Sequence, residues 1–222
     1  LPWFPDIPWF AALLIVIFIM GIIGAINGCV IAFLKVPPFI ATLGMQTIVY
    51  GACQIITNNQ PLGGFKKSYS NVALGSLGGF PFLAIFAVIV GVYFLFLYNK
   101  TRHGKYMYAI GGNESAAQVA GVNVTATIIR IYLLAGMMYG LAGFLVGAKA
   151  GGASPATGFG YELEAIAACT IGGVSANGGV GRVSGILVGV LVFEALKICL
   201  QFLGVDPAYT FVAQGLVIIV AV

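Results

Sequence analysis

Of the 222 residues, 60% are hydrophobic and 7% charged, against about a quarter charged in an ordinary soluble domain. Together with a mean hydropathy of +1.06, this excludes a disordered chain, a nucleic-acid-binding module and a conventional cytosolic enzyme. The net charge of +4, ten cations against six anions, acts at this density as a signal of membrane orientation rather than as a footprint for a polyanion.

The apolar runs are continuous rather than alternating, so the class is all-α, a polytopic transmembrane helical bundle, and not a barrel. The interval 1–222 reads as a single transmembrane domain. It starts without Met and stops inside an apolar run, the pattern of a fragment of a longer chain. Trp9–Leu34 carries no charge and is long enough to cross a hydrocarbon core of about 30 Å. Trp3 and Trp9 anchor its start among Pro2, Pro5 and Pro8, which forbid helix there. Lys35 and Pro37-Pro38 end it. Phe39–Ile56 is a second span of minimal length. Thr57–Gly79 is a polar, glycine-rich loop, and Phe80–Tyr98 a third span.

Asn99–Thr127 is the longest polar stretch and the most basic, with Lys100, Arg102, His103 and Lys105 directly after a span. Ile128–Ala150 is a fourth span, with Arg130 near enough to its end to snorkel. Gly151–Gly160 is a turn region. Tyr161–Gly181 is too short and too interrupted by glycine for an ordinary spanning helix. Val183–Leu203 spans despite Glu194 and Lys197, which lie three apart on one face and so read as a mutual pair. Ala208–Val222 opens a last span. Juxtamembrane cations orient insertion, which places Asn99–Thr127 in the cytoplasm and Thr57–Gly79 outside, although Lys66 and Lys67 run mildly against the rule.

Glycine, at 32 residues, has a task in lipid, where helices pack through small residues that let backbones approach. Gly24 and Gly28 lie one turn apart, as do Gly136 and Gly140, Gly143 and Gly147, and the series Gly181, Gly185 and Gly189. Close helix crossings are expected at Gly136, Gly140, Gly143 and Gly147. Cys29, Cys53, Cys169 and Cys199 fall in apolar stretches and read as small thiols. No catalytic residues, metal ligands or cofactors are expected. Histidine is single and acids are not clustered. No GxxxxGK[ST] loop is present to bind ATP.

Two stretches carry the functional signal. In Ala109–Gly121, Asn113 is a helix N-cap, Glu114 suits the positive end of a helix and Gly121 suits the position after its end. The seven residues between are too few to be a stable helix alone, so Glu114–Ala120 lies against something. It either packs on its own domain or docks a cytoplasmic partner. In Thr157–Arg182, Glu162 and Glu164 point roughly 200° apart on a helix, which argues against a paired acid–base site. They either cap a helix start or line a path, because glycine-broken segments at membrane depth are tolerated only inside protein or beside water.

Asn99-Lys-Thr-Arg-His-Gly-Lys105, Ala109-Ile-Gly-Gly-Asn113, Ala116-Ala117, Gly121-Val-Asn123, Tyr161-Glu-Leu-Glu-Ala-Ile-Ala-Ala168, Gly172-Gly-Val-Ser175, Gly178-Gly-Val-Gly181 and Pro38-Phe-Ile-Ala-Thr-Leu-Gly44 carry a resemblance. Together they resemble the membrane-spanning permease subunits of bacterial sugar ABC importers, in the ribose and galactose/methyl-galactoside branch. The resemblance implies a multi-pass protein of the cytoplasmic membrane that passes a monosaccharide. It also implies the partners: a second permease copy, two cytoplasmic ATPase subunits, a periplasmic sugar-binding protein and the lipid bilayer, with no nucleic acid. It makes Gly112, Asn113, Glu114, Ala116, Ala117 and Gly121 the ATPase-coupling element, with Ala117 small enough for a partner's groove. Tyr161, Glu162, Glu164 and Asn177 become candidates for the translocation path. A self-contained secondary transporter or channel for a small neutral solute is the alternative.

The orientation is directly testable. In a background with the native cysteines replaced, Ser115→Cys is expected to react with a membrane-impermeant thiol reagent only after permeabilisation. Labelling of intact cells would reverse the topology.

Overall fold

The computed structural model describes residues 7–204 together with 206, 208, 209, 211, 212, 215 and 216. The expected anchors Pro2, Trp3 and Pro5 lie outside the described residues, as does most of the expected span Ala208–Val222. In chain order the helices are α1 (Trp9–Leu34), α2 (Pro38–Thr57), α3 (Lys67–Leu74), α4 (Phe82–Lys100), α5 (Arg102–Gly112), α6 (Glu114–Val119), α7 (Val124–Ala150), α8 (Tyr161–Ile171) and α9 (Val183–Phe202). Among the described residues α1, α2, α4, α7 and α9 are long and apolar enough to cross a membrane. Large apolar side chains such as Phe18, Ile55 and Phe96 point outward along them, as lipid-facing surfaces do.

The helix ends follow local chemistry. Lys35 adopts the left-handed conformation (φ 54°) and stops α1. Pro38 then opens α2 at a first-turn position where its missing N–H costs nothing. Asn123 Oδ1 accepts from the Ala126 amide at 3.0 Å, so α7 begins a full turn before the expected Ile128.

The residues form two compact units. The first comprises the described residues up to Val88 with Asn123–Thr157, and its centre is the antiparallel crossing of α1 and α7. A Cβ added at Gly24 would strike the Tyr132 carbonyl, and one at Gly136 the Met20 carbonyl. At Gly28 it would lie 2.9 Å from the Ile129 Cα, and at Gly140 3.0 Å from the Ile17 Cα. Two glycine pairs at four-residue spacing therefore let the backbones touch.

Gly143 and Gly147 do not belong to that crossing. A Cβ at Gly143 would meet nothing within 4 Å, and the residue is exposed. The four-residue spacing from Gly143 to Gly147 starts on the wrong side of the helix to continue the Gly136–Gly140 row. Gly147 instead makes room for Tyr69 of α3, whose hydroxyl oxygen would sit 2.8 Å from a Cβ there. That hydroxyl donates to the Phe144 carbonyl at 2.7 Å, and the two rings meet edge-on at 4.7 Å. Burial pushes the Tyr69 phenol up, so it stays protonated and remains a donor.

The Thr57–Gly79 stretch is therefore more than a loop. It holds α3 and β1 (Leu62–Gly63), and it begins a hairpin of β2 (Ser76–Leu77) and β3 (Phe80–Pro81), turned by Gly78 and Gly79, both at positive φ. β1 pairs antiparallel with β4 (Gly152–Ala153), Leu62 opposite Ala153, so the end of α7 is tied to this region.

The second unit comprises Ile89–Val122 and the described residues from Gly158 onward. In it α8 and α9 pack antiparallel. A Cβ at Gly189 would strike the Ala168 carbonyl, and one at Gly185 the Gly172 carbonyl. Ala167, Ala168 and Phe193 form the buried cluster between them. Gly181, expected in the same row, precedes α9 and takes no part in its helix face. The basic stretch contains α5 as well as the expected short helix, because Thr101 caps it: its hydroxyl accepts from the Gly104 amide at 3.1 Å and donates to the Leu97 carbonyl at 2.6 Å.

The glycine assignments separate cleanly by experiment. Gly140→Leu is expected to lower stability by about 1–3 kcal/mol through overpacking, whereas Gly143→Leu is expected to be neutral. Thermal melts in detergent compare the two, and equal melting points would contradict the crossing.

Candidate functional site

The second unit contains both stretches singled out by the sequence. α6 has six residues and is closed at both ends. Asn113, in extended backbone, accepts from the Ala116 amide at 2.9 Å and from the Ser115 hydroxyl at 2.7 Å through the same Oδ1. Glu114 lies in the first turn, where a carboxylate meets the positive end of the helix. At the other end Gly121 takes φ 84°. The Val122 amide reaches back to the Ala117 carbonyl at 3.1 Å and the Gly121 amide to Gln118 at 3.0 Å, a Schellman closure that needs glycine at that position. Capping at both ends explains how so short a helix holds its shape.

α6 packs on α5. Ala117 is turned inward and only 4% exposed, so its small size serves this chain's own packing. The expectation that Ala117 fits a partner's groove is corrected on that ground. The open side of α6 carries Glu114, Ala116 and Val119, the last 91% exposed. Val119 had no distinguishing mark in the sequence, since helical phase in so short a segment depends on the caps.

α8 starts after Gly160, which takes φ 90°, and the Glu162 carboxylate accepts from the Gly160 amide at 3.1 Å. Glu162 is thus a capping residue. Glu164 faces α9, where Lys197 Nζ lies 2.8 Å from its carboxylate and 3.4 Å from that of Glu194. The expected Glu194–Lys197 pair exists, but Lys197 lies nearer to Glu164. Sequence spacing does not reveal this pair, because Glu164 and Lys197 are 33 positions apart. Tyr161 and Asn177 are both exposed.

The two stretches also meet each other. The Tyr108 hydroxyl donates to the Gly181 carbonyl at 2.8 Å. A Cβ at Gly111 would lie 2.6 Å from the Gly179 amide nitrogen, and one at Gly179 would lie 2.7 Å from the Gly112 Cα. The end of α5 therefore rests backbone to backbone on the glycine loop between α8 and α9. Sequence spacing alone could not show this contact.

Residues 4–222 match the family described as "Branched-chain amino acid transport system / permease component". The chain belongs to this family of transport-system permeases. The galactose/methyl galactoside import permease of Haemophilus influenzae is 42% identical over 99% of this chain and 68% of its own length, and that of Escherichia coli is equally similar. The ribose import permease of Bacillus subtilis is 41% identical over 88% of this chain and 62% of its own. No solved structure matches the chain. With five helices of spanning length among the described residues, the permease is a multi-pass membrane protein.

The ion pair between α8 and α9 predicts an asymmetry. Lys197→Met alone removes the cation that Glu164 and Glu194 share and is expected to destabilise the permease more than the double change Lys197→Met with Glu164→Gln, which takes away the nearer carboxylate's charge as well. A detergent melt showing the double variant below the single one would contradict the pairing.

Proposed function

We propose that this permease is the membrane-spanning subunit of an ABC importer that carries galactose or a methyl galactoside across the cytoplasmic membrane of a bacterium. The sugar class follows the relatives at 42% identity, which are galactose/methyl galactoside import permeases. The observation that carries the mechanism is α6, a doubly capped helix of six residues with an open side, in the most basic stretch of the chain. A helix that docks into an ATPase has to transmit a rigid displacement, which calls for firm ends and a small, exposed contact surface rather than reactive groups.

In this reading, cytoplasmic ATPase subunits seat the open side of α6 while Ala117 holds it to α5. Gly112 and Asn113 set its entry, and Gly121 its exit. Two permease copies enclose the path, a periplasmic protein delivers the sugar, and ATP is hydrolysed on the partner chains. Glu162 and Glu164 serve the architecture of α8 through the cap and the lysine bridge. Tyr161 and Asn177 remain the polar positions through which α8 and its loop take part in the path.

Docking is tested at Val119 rather than at buried Ala117. Val119→Arg adds a long charged side chain to the open side, which a snug groove must exclude or desolvate. It is expected to abolish uptake of labelled galactose and recovery of the ATPase in a pull-down, with normal insertion and melting. Asn113→Ala, losing one cap worth about 1 kcal/mol, is expected to reduce uptake only modestly. A Val119→Arg permease that retains both transport and the ATPase would overturn the assignment.

A further inference from the structure

We infer that Tyr108, Gly111 and Gly179 are positioning residues of a mechanical joint through which movement of α6 reaches the glycine-broken segment between α8 and α9. The inference rests on the reading of α6 as a docking helix and adds the path by which its displacement leaves that helix.

Three features make the joint. First, no side chain separates its halves. A Cβ at Gly111 would sit 2.6 Å from the Gly179 nitrogen, one at Gly178 2.8 Å from the Gly111 carbonyl oxygen, and one at Gly179 2.7 Å from both the nitrogen and the Cα of Gly112. Side chains can absorb a small displacement by changing rotamer, but a backbone resting on a backbone has no such slack. Second, Tyr108 lies one turn before Gly111 and Gly112 on α5, so its hydroxyl bond to the Gly181 carbonyl, 2.8 Å, clamps the same side of the contact. Third, the connections on either side are short. α6 follows α5 after the single residue Asn113, and Gly181 is separated from α9 by Arg182 alone.

Beyond the joint, α8 and α9 form one body. Gly172, Gly185 and Gly189 bring their backbones together, and Lys197 ties α9 to Glu164 of α8. A push on α6 therefore moves the end of α5, then the Gly178–Gly181 loop, then the α8–α9 pair. Gly178 and Gly179 take φ 90° and 72°, so the loop shape that meets α5 is itself available only at glycine-like cost.

The test uses the full-length permease with its ATPase and sugar-binding protein in proteoliposomes, measuring galactose uptake and ATP hydrolysis together. Gly179→Ala introduces a Cβ into the contact. Gly173→Ala is its control, because Gly173 has a similar φ of 79° while a Cβ there would meet nothing within 4 Å. Tyr108→Phe removes the clamp and keeps the ring. Gly179→Ala is expected to lower sugar carried per ATP hydrolysed by roughly tenfold, within the range of coupling between sites. Tyr108→Phe is expected to lower it about threefold, the scale of one hydrogen bond, and Gly173→Ala to leave the ratio unchanged. If Gly179→Ala does not insert, Tyr108→Phe decides alone. A wild-type ratio in Tyr108→Phe, or an equal drop in Gly173→Ala and Gly179→Ala, overturns the joint. A wild-type complex that recruits no ATPase fails the docking reading instead, which separates the two outcomes.

Discussion

Two apolar helices in a bilayer gain little by leaving lipid for each other, so their association depends on how closely their backbones approach. In this permease that approach occurs where Gly24 and Gly28 of α1 meet Gly136 and Gly140 of α7, and where Gly172 meets Gly185 and Gly189. Each added methyl would collide with main-chain atoms, which cannot rotate away. Dispersion between backbones in contact over several turns replaces the hydrophobic driving force that a soluble bundle would use. The rest of each unit hangs on these contacts: α3 is pinned to α7 by Tyr69, and the lysine bridge lies at the far end of the α8–α9 packing.

Charge is used sparingly and close to these contacts. Lys197 bridges a partly covered Glu164 and an exposed Glu194, so a cation and two carboxylates share one site instead of facing lipid singly. Glu162 spends its charge on an amide at the start of α8. Of the other cations, Lys100, Arg102 and Lys105 cluster at the start of α5.

Much of the fold was legible in the sequence. Among the described residues five spans announce themselves through apolar length, and Asn113 and Gly121 mark α6 because capping is a local matter of one side chain and one φ angle. Other features depend on neighbours that sequence spacing does not name. Gly143 has the same four-residue spacing as Gly140 but faces open space, since spacing fixes a face only relative to the partner helix. Ala117 and Val119 are two positions apart on one short helix, and only the packing on α5 decides which is covered. Glu164 with Lys197, and Gly111 with Gly179, are long-range meetings with no local trace.

The crossing of α1 and α7 also has a consequence in time. Gly24 and Gly136 are roughly 110 residues apart, and at a synthesis rate of about 5–20 residues per second the second helix emerges on the order of 5–20 s after the first. Throughout that interval the glycine face of α1 lies in the bilayer without the surface that it fits. The α8–α9 pair waits far less, because its helices follow one another directly. Nascent permease chains therefore pass through a stage in which α1 is inserted while its glycine face still lacks α7.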